Sequence, residues 1–187
     1  MKIVEKLLPV HKRTHGVKIQ PKYLIIHWTG NASQKASGVR TWFRLIQKGP
    51  VRIGKRLLRM YASSHYVLGL GGVITQLIPE DIEAYTNGGR RLTAFAKDIS
   101  PLVKGRYKIN RVCNSVECTH EDWSGKPNDK QYKALVEFCA DWCMRHSKPV
   151  ENIKLHNHLT GKLCHKWFVN NPTLWTWFLK DVSTKLK

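Results

Sequence analysis

The sequence predicts an α/β protein: one domain, with a central mixed β-sheet flanked by helices. Three observations carry that expectation. Short apolar runs suited to buried strands are intermixed with longer stretches of helical periodicity. Turn signals separate these segments at short intervals, and no linker rich in Gly, Ser or Pro divides the chain. The 187 residues fit a single unit spanning 1–187, and a 42% hydrophobic content can fill an ordinary core.

The first clear element is Lys22-Tyr-Leu-Ile-Ile-His27, an apolar run of strand length. Thr29-Gly30-Asn31 reads as a turn. Val39, Trp42, Phe43 and Ile46 then follow the i, i+3, i+4, i+7 spacing of a helix that stops at Gly49-Pro50. A basic connection, Arg52 to Arg59, leads to a strand at His65–Leu68. Gly71-Gly72 marks a hairpin, and Val73–Ile78 is its returning strand. Residues 79–110 read as irregular, broken by Asn87-Gly88-Gly89 and Pro101. Val112–Cys118 is a further strand. Asn128 and Gln131 form the capping box of a helix running to about His146, with Tyr132, Leu135, Val136, Cys139 and Cys143 on its buried face. Asn171-Pro172 opens a last helix carrying Leu174, Trp177, Phe178 and Asp181. Tryptophans 42, 142 and 177 fit helical core spacing.

The five cysteines form no CxxC pair, which argues against a disulfide framework. The start, MKIVEKLLPVHKR, lacks the apolar stretch of a secretory signal, and no segment has the length of a membrane helix. Synthesis in a cytosol, without a signal peptide, is expected. Lys and Arg number 32 against 13 Asp and Glu, a net charge of +19. Such an excess rules out an acidic or neutral surface on this protein and points to a polyanionic partner, whether nucleic acid, anionic lipid or an anionic wall polymer.

Metal-ligand residue types stand in two places. His27 ends a buried apolar strand, where a rigid scaffold can hold its ring at a cleft. Leu155-His-Asn-His-Leu-Thr-Gly-Lys-Leu-Cys164 supplies His156, His158 and Cys164. Two imidazoles and a thiolate would leave a fourth zinc position open, the arrangement of a hydrolytic site. Read as a strand, residues 156–158 put both histidines on one face, so His158 competes with His156 as a ligand. The spacing alone also fits hydrogen-bonded core histidines.

Three segments resemble a known family. Tyr23-Leu-Ile-Ile-His-Trp-Thr-Gly-Asn31 resembles the opening strand of the zinc-dependent N-acetylmuramoyl-L-alanine amidases, a family that includes phage endolysins and is related to peptidoglycan recognition proteins. Ala62–Leu68 with Gly72–Pro79 resembles its central hairpin. His156-Asn-His-Leu-Thr-Gly-Lys-Leu-Cys164 resembles its closing motif, His-x-Asp-x-Thr-Gly-Lys-x-Cys-Pro. The order and separations match over roughly residues 20–180.

The resemblance implies one zinc ion held by His27, His156 and Cys164, with His158 at a supporting, non-ligating position. Lys162 matches the family's lysine and would stabilise an oxyanion. The tyrosine that some members use as a base is replaced by Ser64. Glu117, in Asn114-Ser-Val-Glu-Cys118, is nearest to the glutamate of phage-type members, although Glu121 and Asp122 lie close by. Trp28, His65 and Thr86 are the expected substrate contacts. Thr86 stands where the family has His, and His165 where it has Pro.

The implied reaction is hydrolysis of the amide between N-acetylmuramic acid and L-alanine in peptidoglycan. The enzyme would be made in the host cytoplasm and act on the wall after release. The charge would hold it on anionic wall polymers and bind nucleic acid only non-specifically. Two rival readings are a basic nucleic-acid-binding protein, resting on Arg52–Arg59, Arg90-Arg91 and Lys104–Lys108, and an inactive peptidoglycan-binding module.

Overall fold

The computed structural model describes residues 1–9, 16–54, 56–58 and 61–187. In chain order the elements are β1 (Lys2–Glu5), β2 (Tyr23–Trp28), α1 (Ala36–Lys48), β3 (Val51–Ile53), β4 (Arg56–Leu58), β5 (Tyr66–Leu68) and β6 (Val73–Gln76). They continue with α2 (Ala94–Ile99), β7 (Leu102–Val103), β8 (Arg106–Tyr107), β9 (Cys113–Cys118), α3 (Asp129–His146), β10 (Ile153–Leu155), α4 (His156–Thr160), α5 (Lys166–Asn170) and α6 (Pro172–Lys185).

The central sheet is mixed, as the sequence predicts; its six strands run in the order β1-β6-β5-β9-β2-β10. Only β5 and β6 pair antiparallel; the other neighbours run parallel. The β5–β6 turn is held by a Gly72 N–H donating to Gly69 O at 3.0 Å. Gly72 has φ +77, and an added Cβ would lie 2.8 Å from the Lys130 carbonyl oxygen, so this hairpin end requires glycine.

Alternation along β2 and β9 divides the side chains between two faces. Leu24, Ile26, Val116 and Cys118 point to one face, where Leu135, Phe138 and Trp142 of α3 and Phe178 of α6 cover them. Each of these large side chains, once buried, contributes about 1.5–3 kcal/mol. Trp142 also satisfies its indole N–H on Asn114 Oδ1 at 2.9 Å. Ile25 and Cys113 point to the opposite face beneath Ala96 of α2 and Leu159 of α4, while Val67 meets Phe43 and Ile46 of α1. His27 and Glu117 lie on this second face, at the carboxyl ends of parallel strands. Crevices at such ends are the usual ligand sites of α/β sheets.

The Asn128–Gln131 capping box forms on α3 as predicted. Five features differ from the expectation. β1 adds a short edge strand, and residues 79–110 contain α2 and the β7–β8 pair. The basic connection holds the β3–β4 hairpin, with Lys55 and Arg59 outside the described residues. Trp177 is 58% exposed, because α6 turns Trp175, Phe178 and Val182 inward and leaves Trp177 off that stripe. Finally, His156 begins a helix rather than continuing a strand. The β10 strand is only three residues long, and Gly161 closes the following turn in the left-handed region.

Candidate metal centre and its basic cleft

Three elements bring the ligand types together. β2 delivers His27 at its carboxyl end, β10 delivers His156 at the start of α4, and the turn after α4 returns Cys164. Asn157 ties that turn down: its backbone N–H donates to Cys164 O at 2.6 Å and its side-chain amide to Lys162 O at 2.8 Å. The donor atoms of His27, His156 and Cys164 lie within 4.8 Å of one another, all buried.

The ring nitrogens have distinct roles. His27 Nε2 bonds Asn87 Oδ1 at 2.9 Å, and its Nδ1 faces Cys164 Sγ at 3.8 Å. Since an amide oxygen only accepts, the proton belongs on Nε2 and the Nδ1 lone pair points at the sulfur. His156 keeps a buried Nε2 without a hydrogen-bond partner, while the backbone of Gly88 and Asn87 bonds its ring. Burial holds the His27 ring well below its ordinary pKa. Burial, with the nearby Lys162 charge, pulls His156 down to about 4. Both rings are therefore neutral near pH 7, as metal ligation requires. Burial and the Glu117 carboxylate push the Cys164 thiol up to about 12. A divalent cation would reverse that by stabilising the thiolate.

His158 is not part of this group. On a helix, two positions turn a side chain through about 200°. Accordingly His158 Nδ1 accepts the Leu155 N–H at 2.9 Å, and its ring lies 6.2 Å from Trp175. The competition between the two histidines held only for a strand.

Glu117 sits opposite His27 in the parallel β2–β9 register, on the same sheet face. Adjacent strands are about 4.8 Å apart. Its Oε2 is buried without a hydrogen-bond partner, and burial pushes its carboxyl up to about 8. Glu121 and Asp122, by contrast, are exposed; Asp122 is occupied by Ser124 and Glu121 by Asn128. Lys162 is exposed and donates from Nζ to Gly88 O at 2.9 Å.

The three expected substrate contacts fall differently. Trp28 is half-buried beside His120 at 4.7 Å, with Lys166 Nζ 5.4 Å from its ring centre. His65 is fully buried and bonds Ser115 Oγ at 3.1 Å and Ile82 O at 2.9 Å. Thr86 donates to Ser63 O and lies 2.8 Å from Ser115 Oγ. His65 and Thr86 thus brace β5, β9 and the following loop beneath the site. Asn87 was missed by the sequence reasoning, which took Asn87-Gly88-Gly89 only as a break. A polar side chain ahead of two glycines, between two elements, was the available signal.

Gly88, Gly89, Arg90, Arg91, Thr160 and Lys162 line a cleft of about 840 Å³ adjoining this centre. Candidate metal ligands thus stand beside a buried, unpartnered carboxylate and an open cleft. The chain belongs to the N-acetylmuramoyl-L-alanine amidase family, Amidase_2, whose family model matches residues 17–167. Its fold is shared with several solved structures. PlyL is 21% identical, with 97% of each chain covered and a TM-score of 0.72. The PlyG catalytic domain is 20% identical over 100% of this chain and 96% of that one, with a TM-score of 0.73. The endolysine N-acetylmuramoyl-L-alanine amidase LysCS from Clostridium intestinale URNW is 12% identical over 87% and 86%, with a TM-score of 0.60. A search of curated proteins finds no match.

Proposed function

We propose that the chain is a zinc-dependent endolysin of phage or prophage type, which hydrolyses the amide between N-acetylmuramic acid and L-alanine in peptidoglycan. The observation that carries this reading is the convergence of His27, His156 and Cys164 beside Glu117. The donor set fits zinc: two neutral imidazoles and one sulfur, with a buried His156 Nε2 left unpartnered. A zinc ion held by these residues would polarise the scissile carbonyl and lower the pKa of a water toward about 7.

The chain's own groups supply the rest. With a cation on the neighbouring ligands favouring its ionised form over the burial that raises it, Glu117 would accept the proton of the attacking water at its unpartnered Oε2 and return it to the leaving amine. Lys162, steadied by Gly88 O, donates from Nζ to the oxygen that gains negative charge. Asn87 fixes the His27 ring so that Nδ1 stays directed at the site. Trp28 offers the remaining half-exposed aromatic surface to the substrate.

The net charge of +19 supports retention on anionic wall polymers, with nucleic acid bound only non-specifically. The reading also places the enzyme's action at the wall after release from the cell that makes it. No helix among the described residues is long and apolar enough to cross a membrane. The test is mass spectrometry of isolated sacculi after digestion. Fragments ending in a free L-alanine amine, with intact glycan strands, are expected. Cleavage between sugars or between stem residues would contradict the proposal.

A further inference from the structure

On the side of the sheet covered by α3 and α6, away from the face that carries His27 and Glu117, lies a second concavity of about 310 Å³. Tyr132 of α3, Trp167 of α5, and Leu174 and Trp177 of α6 line it, with the exposed side chains of Lys126 and Asp129. Its floor is braced from behind. Between ring centres, Phe168 lies 5.4 Å from Trp175 and 5.2 Å from Phe178, and Tyr132 lies 5.7 Å from Phe178. Tyr132 Oη donates to Asp181 Oδ2 at 2.7 Å, which fixes that ring. Trp177 stands outside this stack, 58% exposed and unused by the core. Lys126 Nζ lies 5.7 Å from the centre of the Trp167 ring. Contiguous aromatic surface left to solvent beside polar groups marks a place where something binds. The two charged groups of this groove, Lys126 and Asp129, cancel, although the chain as a whole carries +19.

We propose that this groove binds an uncharged glycan, N-acetylhexosamine rings of the strand whose stem peptide the metal centre releases. The inference rests on the amidase reading for the identity of the strand, and adds a contact with it outside the metal site. A pyranose ring presents one face of C–H bonds and a rim of hydroxyls. The C–H face packs against an indole, whose π-face is negative. The rim hydroxyls meet Lys126, which only donates, and Asp129, which only accepts. An anionic polymer gains little here, because Asp129 offsets Lys126 while the positive field lies elsewhere. A second copy of the chain would need about 800 Å² on each partner. A groove of about 310 Å³ instead stands at the small end of ligand sites, about 300–1,000 Å³. Its rings are already ordered, so little freedom is lost when a sugar stacks on them. α5 connects the groove to the metal centre: Lys166 Nζ lies 5.4 Å from the ring centre of Trp28, the neighbour of His27, and the next residue, Trp167, lines the groove.

The test is an NMR titration of the full chain with the tetrasaccharide of N-acetylglucosamine. This probe is uncharged and carries no peptide, so binding is read independently of catalysis. Saturable shifts of the Trp167 and Trp177 indole N–H signals are expected, with an affinity that salt does not change. Trp177→Ala removes an exposed side chain that the core does not use, and should weaken binding by about 5–10-fold. Trp177→Phe keeps a flat ring and should recover most of that loss. Shifts confined to Trp28 would place the sugar at the metal centre and overturn the proposal. So would native affinity in Trp177→Ala, a Trp177→Phe variant no better than Trp177→Ala, or an affinity that falls steeply with salt. A native dimer in sedimentation that Trp177→Ala abolishes would also overturn it, by giving the groove to a second copy of the chain. If the tetrasaccharide binds at Trp177 but native chain leaves sacculi uncut, the amidase reading falls and the glycan site stands. Cut sacculi without tetrasaccharide binding would remove the glycan site alone.

Discussion

Asn87 Oδ1 accepts the Nε2 proton of His27 at 2.9 Å, and this one bond orients the opposite nitrogen of the ring toward Cys164. The strand supplies the histidine, but a loop residue sixty positions away selects its tautomer. Supporting bonds of this kind typically change metal affinity by about 10–100-fold. Asn87→Ala should therefore weaken zinc binding by about that factor, measured by competition with a chelating dye. Unchanged affinity would show that the tautomer is set elsewhere.

Cys164→Ser and Glu117→Gln separate binding from proton transfer. The first should lose zinc and activity together. The second should keep stoichiometric zinc while its rate on sacculi falls by about 10²–10⁴-fold, the usual contribution of a general base. Zinc content and wall clearing are measured on the same preparations. Full activity in Glu117→Gln would remove Glu117 from the mechanism.

Lys162→Met should lower kcat by about 10²–10³-fold if its ammonium meets the developing oxyanion. Zinc content should not change, because Lys162 is no ligand. A rise in KM with kcat preserved would instead make Lys162 a ground-state binding residue.

A separate cluster sets acid stability. Glu80 is bonded by both Arg145 Nη groups and by His146 Nε2, joining the loop after β6 to the end of α3. Burial raises the Glu80 carboxyl, but the hydrogen bonds and charge of Arg145 outweigh it and leave it below its ordinary value. A carboxylate held low stabilises the fold above its unfolded pKa and loses that contribution as pH falls through the folded value. Glu80→Gln should cost about 1–3 kcal/mol near pH 7 by urea unfolding. The difference from native should shrink below about pH 4. A constant difference across that range would contradict the assignment.

The large elements were legible because their signals are local. The apolar run at Tyr23–Trp28, the spacing along α1 and the capping box of α3 each state their own structure. The candidate ligand set came from the resemblance of ordered motifs, and the fold brings the donor atoms of His27, His156 and Cys164 within 4.8 Å of one another. What escaped depends on contacts between distant segments. Parallel pairing to β6 defines β1, and three-residue β10 could not be told from the helix that follows it. The roles of His65 and Asn87 arise only when Ser115 and His27 are brought against them. Trp177 shared the composition of a core residue but not its angular position on α6.

The central claim is that zinc on His27, His156 and Cys164 drives cleavage of the muramoyl–alanine bond. Its most direct test is to strip metal from the purified chain, digest isolated sacculi and count newly freed L-alanine amines before and after adding one equivalent of zinc. The account predicts negligible release from the stripped chain and recovery on addition of zinc. Equal release without metal, or recovered activity that frees no alanine amines, would contradict it.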